Sequence, residues 1–120
     1  MFTIIWRKMI ESQFLYLMTT GWKTSNKHKT EIWYVKCKKN YYVMSEPGEG
    51  AHWVQNIIHN PRISFIICGL NFDGTARIVS AMKEVGLAAE VSELMKVKYN
   101  WDQGLIVELK PLDVQEQAKL

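Results

Sequence analysis

Six short runs rich in β-branched and aromatic side chains, "QFLYLMTT", "KTEIWYVKC", "YYVMS", "ISFIICG", "FDGTARIV" and "LIVELKP", constrain the fold more than any other feature. Where the gaps between them hold only a few residues, consecutive runs must fold back as antiparallel hairpins, because a parallel crossover needs a dozen residues or more. Residues 29–45 therefore read as two antiparallel strands turning at Lys39-Asn40. "ISFIICG" and "FDGTARIV" form a second hairpin around Gly69-Leu70-Asn71. The continuous apolar character of "ISFIICG" predicts burial on both faces. "FDGTARIV" alternates, setting Phe72, Gly74, Ala76 and Ile78 toward a core and Asp73, Thr75, Arg77 and Val79 away from it. Six strands with mostly hairpin connections and only short helices imply a mainly β fold, a six-stranded antiparallel barrel with helices at its ends or side.

The helical segments are few. Residues 3–11 suit a short amphipathic helix within an N-terminal segment 1–12. "AHWVQNIIHNP" brings Trp53, Val54, Ile57 and Ile58 onto one face before Pro61 ends the helix. Ser80 is placed to cap a third helix with a buried stripe of Leu87, Val91, Leu94 and Met95, weakened in its first turn by Gly86 and ending near Tyr99. Residues 112–120 read as a flexible tail.

No linker or repeat divides the 120 residues, so 1–120 reads as a single domain, long enough to bury roughly two-thirds of the surface its unfolded chain exposes. A disulfide framework is not required. Cys37 and Cys68 lie in apolar runs without CxxC spacing and read as reduced core thiols, which favours the cytoplasm. The start "MFTIIWRKMIESQ" is broken by Arg7 and Lys8 and lacks the marks of a signal peptide; no apolar run is long enough for integral membrane association. Trp6, Trp22, Trp33, Trp53, Trp101 and the pair Tyr41-Tyr42 exceed what one small barrel encloses. Some are expected in a ligand site or a subunit interface, and a homodimer follows as the expected assembly.

Net charge is only +3, and its placement matters more than its size. Lys23, Lys27, His28 and Lys29 alternate with the hydroxyls of Thr20, Thr24, Ser25 and Thr30 around a turn opened by Gly21. Such a set holds phosphate or carboxylate groups, or is simply a solvated basic turn; the residues alone leave both open. A Walker loop is excluded by the absence of GxxxxGK[ST]. His52 and His59 are seven residues apart with no cysteine or carboxylate to complete a metal set, so no metal is expected. Cys37 lacks a sequence-evident activating base and is not read as a nucleophile.

The segment "LYLMTTGWKTSNKHKTEIWYV" resembles the corresponding stretch of the deazaflavin (F420)-dependent nitroreductase family, within the pyridoxamine 5′-phosphate oxidase-like FMN-binding split barrels. "WVQNIIHNP" is similar to that family's W-x-x-N-[LI]-x-x-N-P helix end, and "FDGTARIV" to one of its strands. The three occur in order over about residues 13–80.

The resemblance implies a homodimeric split barrel holding the deazaflavin coenzyme F420 or FMN near the dimer interface. It implies Lys23 and Lys29 as partners of the cofactor's phosphate or acidic tail, with Thr20, Thr24 and Thr30 as neutral donors. It sets Glu31, Ile32 and Trp33 beside the ring, Met44 and Ser45 on the next strand in support, and Trp53, Asn56 and His52 on the helix side. Tyr99 and Trp101 become substrate-side walls. The implied activity is hydride transfer to a small electron-poor acceptor of quinone or nitro type, without a catalytic acid or base. Two departures stand out: Trp22 replaces an arginine, and Glu31 replaces a proline and puts a carboxylate beside the ring. The alternatives are a cofactor-binding protein without turnover and a small barrel that stacks single-stranded nucleic acid on Trp33 or Tyr42. Glu46 and Glu49 oppose the latter, so nucleic acid is not the expected partner.

Overall fold

The structure, a computed structural model, describes residues 12–112. The expected N-terminal helix and almost all of the expected tail lie outside the described residues. Strands β1 (Phe14–Thr20), β2 (Lys27–Cys37), β3 (Asn40–Ser45), β4 (Arg62–Ile67), β5 (Leu70–Val79) and β6 (Leu105–Pro111) close into a barrel in the order β1-β2-β3-β6-β5-β4, and every pairing is antiparallel. The expected six-stranded antiparallel barrel is what forms. Helix α1 (His52–His59) lies between β3 and β4, and helix α2 (Val85–Tyr99) between β5 and β6. Among the described residues no helix is long and apolar enough to cross a membrane.

Period-two alternation builds two cores rather than one. Inward residues Leu15, Leu17, Tyr34, Tyr41, Phe65 and Leu109 fill the barrel, and Ile57 of α1 joins them. Outward residues Val35, Tyr42, Met44 and Ile106 pack beneath Ala88, Val91 and Met95 of α2. Both faces of β3 are therefore covered, and Tyr41 and Tyr42 are both buried. These two tyrosines are therefore not among the aromatics left over for a ligand site or an interface, and Tyr42 offers no face on which a base could stack. Arg77 ties α2 to the sheet, its Nη1 2.7 Å from Glu84 and its Nε 2.9 Å from Glu108, whose other oxygen accepts from the Tyr42 hydroxyl at 2.8 Å.

Several boundaries differ from the sequence reading. The β2–β3 turn is Lys38-Lys39, because Cys37 pairs with Asn40 and Lys38 takes the left-handed conformation at φ 58°. The β4–β5 turn is Cys68-Gly69, both left-handed, which lifts Cys68 out of the core and exposes it. Only Cys37 is a core thiol. Strand β4 alternates buried and half-buried positions instead of being buried throughout, since α2 covers the other side of the barrel. Ser80 closes a separate turn, accepting from the N–H groups of Lys83 and Glu84, and α2 starts only at Val85. In α1 the buried positions are Val54, Asn56 and Ile57, while Ile58 is exposed.

Candidate functional site

Strand β2 pairs with β1 over Lys27–Thr20 through Trp33–Phe14 but with β3 only over Tyr34–Cys37. From Lys27 to Trp33 it has no strand partner on the β3 side among the described residues, so the barrel is split there and a length of backbone edge stays open to hydrogen bonding. The sequence dictates this opening. The chain leaves β3 after Ser45 for "EPGEG", and the Ser45 hydroxyl donates to the Gly48 carbonyl at 2.7 Å, turning the chain into a 3-10 turn (Gly48–Gly50) that leads to α1.

Two cavities flank the open half of β2. The first, of about 500 Å³, is walled by Phe14, Trp33 and Trp101, floored by Ile32 and Met44, and rimmed by Glu31 and Glu46. The second, of about 510 Å³, is held between the β1–β2 loop and α1. Trp22, Lys23, Thr24, His28, Lys29 and Thr30 line its loop side, and His52, Trp53 and Asn56 its helix side. Thr30 belongs to the second cavity and Glu31, the next residue, to the first.

The second cavity is cationic. The ammonium of Lys23 lies 4.8 Å from the centroid of the Trp22 ring and that of Lys29 4.4 Å from Tyr16. Neither lysine has a carboxylate partner among the described residues, which leaves both charges available to an anion. Trp22 itself stacks on His59, centroids 4.4 Å apart. Gly21 lets the His28 ring lie close against the loop's start, where an added Cβ would fall 2.7 Å from it and push that exposed side chain aside; its N–H donates to the Asn26 carbonyl at 2.7 Å and closes the loop.

Asn56 holds this loop to α1. Its Nδ2 donates to the buried Thr19 hydroxyl at 3.0 Å and its Oδ1 accepts from the Trp22 N–H at 3.2 Å. Buried polar groups satisfied on both sides fix an irregular segment far better than exposed ones.

The first cavity is built on an aromatic stack. Trp33 lies face to face with Tyr99 and edge-on to Trp101. The Tyr99 hydroxyl accepts from the Tyr34 N–H at 3.0 Å and lies 2.8 Å from the Tyr34 carbonyl. Burial pushes this phenol up to about 12. Lys98 donates to the same carbonyl at 3.0 Å with its ammonium 4.0 Å from the Tyr34 ring, and burial pulls it down to about 8.

Of the residues singled out from sequence, Lys23, Thr24, Lys29, Thr30, His52, Trp53 and Asn56 meet at the cationic cavity, and Glu31, Ile32, Trp33, Met44 and Trp101 at the aromatic one. Ser45 is buried and lines neither, and Tyr99 stands behind Trp33. Phe14 and Glu46 join the aromatic cavity without having been singled out for it. Phe14 is the cross-strand partner of Trp33, a relation that depends on the β1–β2 register. The donor set of the second cavity fits a phosphate or carboxylate, and the aromatic walls and open strand edge of the first fit a planar heterocycle with polar edges.

A comparison against curated proteins gave no match. Among solved structures, the fold is shared with HutZ, the heme storage protein of Vibrio cholerae, at TM-score 0.76 and 17% identity over 92% of this chain and 89% of that one. It is shared with a FAD-binding protein of Mesorhizobium loti at TM-score 0.69 and 12% identity, over 92% and 89%. A candidate pyridoxamine 5′-phosphate oxidase of Listeria innocua superposes at TM-score 0.69 and 12% identity, over 92% and 93%. At these identities the likeness establishes the split-barrel fold of the pyridoxamine 5′-phosphate oxidase type. A family model for F420H(2)-dependent quinone reductase matches residues 5–108, most of the chain. With that match, and with a barrel split beside a cationic loop, the chain belongs to the F420H(2)-dependent quinone reductase family of oxidoreductases.

Proposed function

We propose that this protein is an oxidoreductase that binds F420 or FMN along the open half of β2 and delivers a hydride to a small electron-poor acceptor of quinone or nitro type. The observation that carries the reading is the adjacency of Thr30 and Glu31, which line the cationic and the aromatic cavity respectively. Each cavity takes consecutive residues of this open stretch, Lys29 and Thr30 in one and Glu31, Ile32 and Trp33 in the other, so a molecule laid along the edge of β2 with an anionic end and a planar ring can reach both.

The cofactor, when bound, supplies the hydride. Lys23 and Lys29, supported by Thr24, Thr30 and His52, hold its anionic end, while Trp53 and Asn56 keep the helix side of the cavity in place. The backbone of Glu31, Ile32 and Trp33 meets the polar edge of the ring. Met44 packs below it, and Ser45 fixes the turn behind. Trp33 and Trp101 exclude water from one side and orient the acceptor, with Tyr99 holding Trp33. A second copy of the chain covers the outer face of β1 and β2, where Phe14 and Trp33 are exposed, and the homodimer acts in the cytoplasm.

The test is retention of the cofactor in Lys23→Ala/Lys29→Ala. Loss of charge-assisted hydrogen bonds, each worth about 1.5–3 kcal/mol, should lower the affinity for F420 or FMN at least tenfold per lysine. Affinity equal to that of the parent would remove the cationic cavity from the binding site. Oxidation of reduced cofactor by a quinone in stopped flow then separates an enzyme from a carrier.

A further inference from the structure

The two lysines of the cationic cavity rest on aromatic rings instead of carboxylates, Lys23 on Trp22 and Lys29 on Tyr16. Tyr16 belongs to β1, whereas Trp22 lies in the β1–β2 loop and is 46% exposed, where a side chain needs a reason to keep one orientation. Helix α1 supplies that reason twice. Asn56 Oδ1 accepts from the Trp22 N–H at 3.2 Å, and His59, three residues further along the helix, stacks on the indole with the planes 12° apart. The His59 ring is fixed in turn, its Nδ1 2.9 Å from the Gln55 carbonyl, a group that can only accept. With one face of the indole taken by His59, the other is left to the Lys23 ammonium, 4.8 Å from the ring centroid.

From this arrangement we infer that Trp22 is a positioning residue for the anionic end of the cofactor: it holds the Lys23 ammonium ready at the cavity, and acts through Lys23 rather than by touching the ligand. This rests on the cationic cavity being the anion's place in the function proposed above. A lysine carries a long flexible stem whose freedom is lost when its ammonium is fixed by a ligand. Attraction to the indole face confines the ammonium beforehand, so less entropy remains to be lost on binding. A carboxylate partner would confine it equally well, but an incoming anion would have to displace it. The ring face competes for no anion, because its own electron density repels one. The order of support is therefore Gln55 to His59, His59 to Trp22, and Trp22 to Lys23.

The test is a double-mutant cycle read by calorimetric titration with inorganic pyrophosphate, FMN and F420. Trp22→Leu should weaken the binding of each about two- to fivefold, as the loss of an exposed cation–π contact dictates. Trp22→Phe keeps a ring face but has no indole N–H, and should stay within about twofold of the parent. The leucine change should add nothing to Lys23→Ala and its full factor to Lys29→Ala, since only Lys23 shares the ring. In the ligand-free parent the Lys23 ε-methylene protons should be moved upfield by the indole ring current, and Trp22→Leu should abolish that shift. A loop merely loosened by leucine would lose affinity in both lysine backgrounds, and an indole N–H given directly to the anion would leave the phenylalanine variant as weak as the leucine one. Either result, or the absence of the ring-current shift, overturns the inference. A parent that binds none of the three ligands overturns the proposed function and this role with it, whereas additive penalties in a parent that binds overturn this role alone.

Discussion

Trp33 and Tyr99 stack with ring centroids 4.6 Å apart and planes within 4° of parallel, although one lies on β2 and the other ends α2. The contact joins the long helix to the part of β2 where the barrel is split. Tyr99 can reach Trp33 because α2 ends there: Asn100 adopts the left-handed conformation at φ 56°, its N–H closing on the Lys96 carbonyl at 2.8 Å. The phenol then satisfies Tyr34 at the last residue before β2 loses β3. Tyr99→Phe keeps the stack but removes the hydroxyl that accepts from the Tyr34 N–H, and should cost about 0.5–1.5 kcal/mol in urea unfolding. The parent should also lose stability between pH 10 and about 12, because the unfolded phenol ionises there while the folded one, raised by burial, does not. That loss should shrink in Tyr99→Phe; an unchanged alkaline limb would detach it from Tyr99.

Lys98 works in the opposite direction. Its folded value is lowered to about 8 by burial, against an ordinary value of 10.5 for a lysine in water. Between these pH values the unfolded chain holds a proton that the folded chain has released, so raising the pH favours the fold. Below pH 8 both states are charged and the contribution is constant. Melting temperature should rise from pH 8 to 10 in the parent and stay flat over that interval in Lys98→Met. Parallel profiles for the two proteins would exclude Lys98 as the source.

The parts of the fold legible in sequence were those set by local pattern. Alternation in "FDGTARIV" put Gly74 and Ala76 in the barrel interior, and the apolar stripe of α2 placed Val91 and Met95 in contact with the sheet. What was not legible depended on distant chain. Tyr42 is buried because α2, more than forty residues later, covers the outer face of β3, and nothing within "YYVMS" encodes that cover. The two hairpin turns shifted by one residue because Lys38 and Cys68 accept positive φ, a cost that pairing along the whole hairpin outweighs. At the site, the lysine-rich loop and "WVQNIIHNP" were visible as motifs. The split that gives them a use arises from β3 ending at Ser45 while β2 extends back to Lys27, a mismatch of strand lengths that only the pairing reveals.

Two glycines should respond with opposite sign. A Cβ on Gly74 would lie 2.2 Å from the Lys110 carbonyl oxygen, backbone against backbone, where β5 and β6 meet. Gly74→Ala can be accommodated only by parting the two strands and should destabilise the protein by at least about 1–3 kcal/mol. Gly86 lies in the first turn of α2 with nothing within 4 Å of an added Cβ. Gly86→Ala should stabilise by about 0.5–1 kcal/mol, as helix propensity dictates. Both are read from chemical denaturation midpoints, and a stabilising Gly74→Ala would contradict the close approach of β5 and β6.

Asn56 separates a residue that binds from one that positions. Its amide is taken up by Thr19 and by the Trp22 backbone, so its effect on any ligand passes through the loop that carries Lys23 and Thr24. Asn56→Ala strands a buried hydroxyl and releases the N–H that holds the loop to α1, at a cost of about 1–3 kcal/mol. Affinity for an anionic cofactor should fall together with stability, because freeing the loop adds the entropy of re-ordering it to every binding event. Lys23→Ala, by contrast, should lower affinity and leave the denaturation midpoint within about 0.5 kcal/mol of the parent, as exposed substitutions do. Asn56→Ala with weakened binding at unchanged stability would instead place the amide in direct contact with the ligand.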